Sequence, residues 1–291
     1  MATAGFKIKW LQDAAQNKPE YATIIPLFVE LYQYLEIAGG DTGINFTVSA
    51  ERLREKREHG FPLLAHDSLS VDTVVCTTFL KGALYVLSQA GREGGPELEK
   101  IGKTLENGTL PLHAVFRSIL ERDRTTMDAV AEATGVPAPL LEYVCEIPLK
   151  AALEQFSAGV SAEVCDGWQE GYCPVCGARA GMAELSGEEG RRFLSCSACT
   201  FRWAFKRLQC PYCGNDEVET LSYFMAGEGS TRVDTCSACS RYIKTRDSRK
   251  GNGDMPLDVE DLLTMHLDLL AAREGFERGQ SLNSVFRGST M

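Results

Sequence analysis

Histidine is scarce here: four residues in a chain of 291, at His59, His66, His113 and His266. They share no spacing, so a histidine-built metal site and an HExxH protease centre are both excluded. Each is expected to be solvated or in a core, with His266 the one that packs. No run of about 18 apolar residues occurs, so no membrane-spanning helix is expected. The opening MATAGFKIKW has no apolar core of signal length, which makes the cytoplasm the expected compartment. GxGxxG and GxxxxGK[ST] are also missing, and GREGGP (91–96) reads as a loop between helices. With neither a phosphate loop nor a nucleophile–base constellation, the sequence points away from an enzyme and from a small-molecule substrate.

What the chain does have is cysteine, eleven in all. Eight of them form four CxxC pairs: Cys173/Cys176, Cys196/Cys199, Cys210/Cys213 and Cys236/Cys239. That is enough thiolate for two tetrahedral metal sites. Between the pairs lie 19, 10 and 22 residues. Each long gap suits a hairpin that returns the second pair to face the first, and the short gap joins two modules. The spacing therefore assigns Cys173, Cys176, Cys196 and Cys199 to one ion and Cys210, Cys213, Cys236 and Cys239 to the other. A cross-braced pairing, first with third and second with fourth, is the alternative.

In CPVCG (173–177) and CPYCG (210–214), Pro174 and Pro211 fix φ after the first ligand. Gly177 and Gly214 can then take the positive φ that closes a knuckle. The partner pairs have Thr200 and Ser240 at that position, so their turns are expected to be looser or strained. A dithiol redox motif belongs near a βαβ unit with one such pair, and a disulfide framework belongs to an oxidising compartment. Neither suits four consecutive knuckles. Modules of about 30–40 residues bury too little to fold alone, whereas tetrathiolate metal binding contributes about 10–16 kcal/mol to a small peptide. Tyr172, Phe201, Trp203, Tyr212 and Tyr242 flank the ligands, either shielding the sites or forming small cores.

Residues 1–165 read as helical. Apolar residues at helical spacing run through 19–37, with Pro26 in the first turn, and through 70–89, opened by Ser70 and Asp72. Shorter runs follow at 96–106, 111–122, 126–134 and 138–157, giving six or seven helices. Cys76 and Cys145 fall inside these patterns as small core residues, and Cys165 is left over near the first knuckle. A polar linker, DSRKGNGD (247–254), precedes a last helix over 258–274 whose stripe is Val259, Leu262, Leu263, His266, Leu267, Leu269 and Leu270. That helix is expected to pack back on the helical half. The organisation expected is thus a helical domain (1–165), two metal modules (166–206 and 207–248), and a linker with a C-terminal helix (249–291).

The net charge is −10, and eight thiolates around two divalent ions make it more negative still. Such a field repels a polyanion, so no nucleic-acid partner is expected. One local exception is RYIKTRDSRK (241–250), where Arg241, Lys244, Arg246, Arg249 and Lys250 read as a charged surface for a protein partner.

The order CPVCG, CSAC (196–199), Trp203 and Arg207 ahead of CPYCG, then CSAC (236–239) with YIK (242–244), resembles the formate dehydrogenase accessory protein FdhE family. PLDVEDLLTMHLDLLAAREGFERGQSLN (256–283) is similar to that family's ending. The specific likeness covers about 170–283; the N-terminal half matches in length and helical character. The resemblance implies an all-helical N-terminal domain, two rubredoxin-like or zinc-ribbon four-cysteine modules, and a C-terminal helix that packs back. It implies a cytoplasmic, non-catalytic factor that binds the catalytic subunit of formate dehydrogenase during maturation. The metal ligands carried over are the eight paired cysteines, and iron is the ion the family suggests. Four thiolates suit zinc equally. A zinc-ribbon module for nucleic acid or general protein interaction is the alternative function.

Overall fold

The computed structural model describes residues 3–64, 68–90, 94–226, 229–251 and 253–279; His66 lies outside them. The chain divides into two units, one of residues 1–50 with 64–159 and the other of residues 51–63 with 160–291.

The first unit holds seven helices among its described residues: α1 (Ala4–Asn17), α2 (Ile25–Ile37), α4 (Thr73–Ala90), α5 (Gly95–Glu106), α6 (Leu112–Glu121), α7 (Arg124–Thr134) and α8 (Ala138–Ala158). Their starts follow local chemistry. Pro26 sits in the first turn of α2, and the Asp72 carboxylate accepts from the N–H groups of Val74 and Val75 to open α4. Asp123 caps α7 in the same way. Leu11, Leu80, Ile101, Phe116, Leu141 and Leu153 are buried in this unit. So are Cys76 and Cys145, whose thiols burial pushes upward, Cys76 to about 12. A two-stranded antiparallel sheet of β1 (Ile44–Phe46) and β2 (Leu69–Val71) accompanies the helices.

The second unit is built on one sheet of seven strands: β3 (Ala180–Ser186), β4 (Arg191–Cys196), β5 (Arg202–Ala204), β6 (Leu221–Phe224), β7 (Thr231–Cys236), β8 (Arg241–Asp247) and β9 (Glu277–Arg278). Each module contributes an antiparallel three-strand set, β5-β4-β3 from the first and β8-β7-β6 from the second. Parallel pairing of β3 with β8 fuses them, with Met182 opposite Lys244 and Glu184 opposite Arg246. β9 pairs with β8 at Arg241 and Tyr242, along the stretch that β3 leaves open.

Fusion of the sheets changes where the chain's end docks. The last helix is two, α9 (Leu257–Leu262) and α10 (Met265–Arg273), and Leu267 and Ala271 pack against Val233 and Tyr242 of the sheet. The buried seam is Val259, Leu263, Leu267 and Ala271, four residues apart each time. Leu269 and His266, expected in the stripe, are exposed instead. A joined sheet offers the apolar surface that the sequence pattern assigns to the helical half. α3 (Ala50–His59) also groups with this unit: the Leu63 N–H donates to the Pro174 carbonyl (2.9 Å), and Lys56 lies 4.1 Å over the Trp168 ring.

Candidate metal centres

Each knuckle turns the chain back within five residues. In the first, the Cys173 N–H donates to the Ala178 carbonyl (2.8 Å) and the Gly177 N–H to the Cys173 carbonyl (3.0 Å). Cys210, Asn215 and Gly214 repeat the pattern at 2.8 and 3.0 Å. Gly177 and Gly214 take φ of 74° and 76°. Thr200 and Ser240 reach the same left-handed region at 55° and 53°. Those two turns are therefore strained and not loosened, with a Cβ where glycine would carry none.

The eight sulfurs gather into two clusters, Cys173, Cys176, Cys196 and Cys199 in one, Cys210, Cys213, Cys236 and Cys239 in the other. The pairing is the sequential one, and the cross-braced alternative is set aside. In the first cluster, Cys173 to Cys199, Cys176 to Cys196 and Cys176 to Cys199 measure 3.5, 3.4 and 3.6 Å. In the second, Cys210 to Cys239 and Cys213 to Cys236 are both 3.8 Å apart. Four sulfurs each about 2.3 Å from a central ion lie roughly 3.8 Å from one another, so both donor sets fit a tetrahedral metal. Each cluster can hold one ion.

Backbone N–H groups are aimed at the sulfurs. Val175 donates to Cys173 Sγ, and Ala198 and Cys199 to Cys196 Sγ, all at 3.4 Å. Asn215 Nδ2 stands 3.9 Å from Cys236 Sγ. Such donors offset thiolate charge. A hydrogen bond from Cys239, helped by the N–H groups of Tyr212 and Cys213, pulls Cys210 down to about 5 against its burial. Burial opposes ionisation of Cys196 too, but its three neighbouring thiols bring it well below the ordinary value. Burial holds Cys173 well above that value. Access differs between the sites: Cys213 is exposed, whereas Cys173, Cys196 and Cys199 are all buried. Cys165 joins neither cluster.

The aromatic residues mainly form the core of the unit. Trp203 donates to the Glu170 carbonyl (3.1 Å), and the Tyr212 hydroxyl donates to Ala180 of β3 (3.0 Å), tying the third knuckle to the first module. Tyr242 packs with Val233 and Leu267, while Tyr172 and Phe201 are half-buried. The two modules also touch at Gly171, where a Cβ would fall 1.8 Å from the Pro211 carbonyl oxygen.

The basic run 241–250 is not one surface. Lys244 is 1% exposed, its Nζ 2.7 Å from carboxylate oxygens of both Asp261 and Asp268. Arg246 is 3% exposed and 2.6 Å from Glu184. Both lie on β8, an interior strand covered on its two faces, so they serve the fold. Arg249 and Lys250 are exposed beyond the strand's end, Arg249 paired with Asp247 at 2.7 Å, and Arg241 is half-buried.

One arrangement goes unsignalled in the sequence. Lys244 also donates to the backbone carbonyls of Asp261 (2.7 Å) and Thr264 (3.4 Å), at the point where α9 gives way to α10. Tyr242 donates to Asp268 (2.7 Å), and Arg278 pairs with Asp261. The YIK segment is thus the anchor of the C-terminal helices. The nearest thing to a signal is a lysine and two acids, Lys244 with Asp261 and Asp268, in segments otherwise apolar at strand or helical spacing.

Among known proteins, the model of the FdhE central domain matches residues 172–207, the first module and the link to the second. An FdhE homologue of Aquifex aeolicus is 36% identical over 146 residues, 49% of this chain and 51% of that protein, so the match spans about half of that relative. An FdhE homologue of Pseudomonas aeruginosa is 29% identical over 251 residues, covering 78% of this chain and 72% of its own. The crystal structure of the FdhE protein from Pseudomonas aeruginosa superposes with a TM-score of 0.65 at 22% identity, over 97% of this chain and 95% of that one. The fold is shared over nearly the whole length.

Proposed function

From the premise that this chain is a homologue of the FdhE proteins in sequence and fold, we propose that it is a non-catalytic cytoplasmic accessory factor. It binds the catalytic subunit of a formate dehydrogenase and keeps it competent for assembly. The observation that carries the reading is the pair of four-cysteine clusters built into one sheet. No helix among the described residues is long and apolar enough to cross a membrane.

The work of the residues is to hold a surface in one shape. The cysteines fix two ions, the knuckle N–H groups balance their charge, and the β3·β8 pairing makes the modules one platform. A bound ion supplies a rigid cross-link, and iron would add a one-electron couple. A surface ordered in advance loses little entropy when a partner binds.

Affinity capture from host cytoplasm tests the proposal. The catalytic subunit of a formate dehydrogenase is expected in the captured material, and less of it when the ligand cysteines are changed to serine. Capture without any dehydrogenase subunit, or formate oxidation by the purified chain alone, would overturn it. X-ray absorption on protein purified without added metal identifies the ion.

A further inference from the structure

A pocket of about 100 Å³ opens on the second module beside its metal cluster, with Cys210 and Cys236 in its lining. Four arginines line it, Arg192 from β4, Arg207 from the link between modules, Arg232 from β7 and Arg241 from β8, against the single acid Asp234. In a chain of net charge −10 this is a local inversion of sign.

Asp234 faces two of them, Arg192 and Arg232, and does not balance both. Its carboxylate already accepts from the Thr245 hydroxyl at 2.7 Å and forms an ion pair with Arg232 Nε at 2.7 Å, and Arg192 reaches it only at 3.7 Å. Arg192 is 5% exposed; its Nη1 donates to the Gln209 carbonyl (2.8 Å), while its Nε has no hydrogen-bond partner. A buried guanidinium with an unmet N–H beside an opening is a receptor for an anionic oxygen. The rim says what carries that oxygen. Tyr223 is 57% exposed under the Arg232 guanidinium (4.3 Å), and Leu208 is 59% exposed. Both line the pocket, and Tyr223 lies on β6, the end strand of the sheet. Arginine and tyrosine over an apolar shelf are the composition of a protein-binding centre, and a sheet edge accepts an extended chain.

We propose that this pocket docks an extended acidic segment of a partner protein, a carboxylate entering among the arginines and an apolar neighbour lying on Tyr223 and Leu208. The inference rests on the accessory reading for its claim that the occupant is protein. The rival is that the arginines only balance the negative charge of the neighbouring thiolate site.

The test is fluorescence anisotropy of a labelled peptide of alternating glutamate and leucine, and of its lysine counterpart, on the metal-loaded full chain. The glutamate peptide is expected to bind, the lysine peptide not. Arg207→Glu and Tyr223→Ser are each expected to weaken binding about tenfold or more, a change of about 1.4 kcal/mol, with both ions retained by elemental analysis. Equal binding of the two peptides, no response to either variant, or weakening that tracks metal loss overturns the docking site in favour of the rival. Displacement by free glutamate or inorganic phosphate as effectively as by unlabelled peptide makes it a small-anion pocket, which also overturns it. Capture of the dehydrogenase subunit is read separately. If capture persists in variants that have lost the peptide, the pocket reading fails and the accessory reading stands; if no subunit is captured while the peptide binds, the reverse holds.

Discussion

Glu184 and Arg246 stand opposite each other in the parallel register that joins the two metal modules, 2.6 Å apart and both buried. The same carboxylate accepts from the Ser248 hydroxyl (2.5 Å) and pairs with Arg202 (2.9 Å), so one acid of the first module collects partners from both. Glu184→Gln leaves Arg246 underpaired and is expected to lower the stability of the C-terminal unit by about 3–5 kcal/mol, measured by denaturant unfolding. The pH dependence follows. Burial pushes the Glu184 carboxyl up, but Arg246, Ser248 and Arg202 hold it below its ordinary 4.5. A depressed folded value stabilises fully above that ordinary value and is lost as pH falls through the folded one. The wild type should lose stability below about pH 4.5, and the glutamine variant, weaker from the start, should show a shallower fall there.

Lys244 and the C-terminal helices make a second case. Its ammonium lies between Asp261 and Asp268 and takes the Asp261 carbonyl, all at 2.7 Å. Lys244→Met leaves two half-buried carboxylates with only Arg278 and Tyr242 to answer them. The expected cost is about 3–5 kcal/mol, and the first consequence is release of α9 and α10. Limited proteolysis should then cut the linker preceding α9 while both ions remain bound. Simultaneous loss of metal and of the helices would contradict that order.

These two residues also mark where sequence reading stops. CxxC spacing settles ligand pairing because each knuckle is local, and α2 and α4 show their periods because each buries one face of its own. Lys244 and Arg246 sit in a run that reads as a surface patch, since a lone charge on a strand ordinarily faces water. Their closest counter-charges, Asp261, Asp268 and Glu184, come from 17 to 62 positions away, and nothing short-range announces them. α3, AERLREKREH, has one large apolar residue, Leu53, so no stripe betrays it. It is held through Lys56 over Trp168 instead. The β3·β8 pairing is nonlocal as well, and with it goes the docking site of the last helices.

The strained knuckles give a prediction of opposite sign. Thr200 and Ser240 hold φ near 55° with a Cβ in place, where their counterparts Gly177 and Gly214 carry none. Replacing either by glycine relieves a left-handed strain of about 1–2 kcal/mol and adds up to about 1 kcal/mol of unfolded-chain entropy. The net expectation is a small gain, at most about 1 kcal/mol, read as an unchanged or raised melting temperature with both ions bound. A marked loss would mean that the Thr200 or Ser240 side chain itself supports the site.

Metal removal at one site tests whether the modules act as one body. As independent lobes, each would lose or keep its ion without regard to the other. The structure joins them at several points: β3 pairs with β8, Glu184 holds Arg246, the Tyr212 hydroxyl reaches Ala180, and Gly171 lies against Pro211. Cys173→Ser removes a buried ligand of the first site and frees β3, which flanks the strand leading out of the second. The second site should therefore bind its ion about tenfold more weakly, measured by chelator competition. Helical circular dichroism should persist, because residues 1–50 and 64–159 have their own core and no cysteine ligand. An unchanged second-site affinity would mean that the shared sheet carries no coupling. Each ion would then stabilise its own module alone.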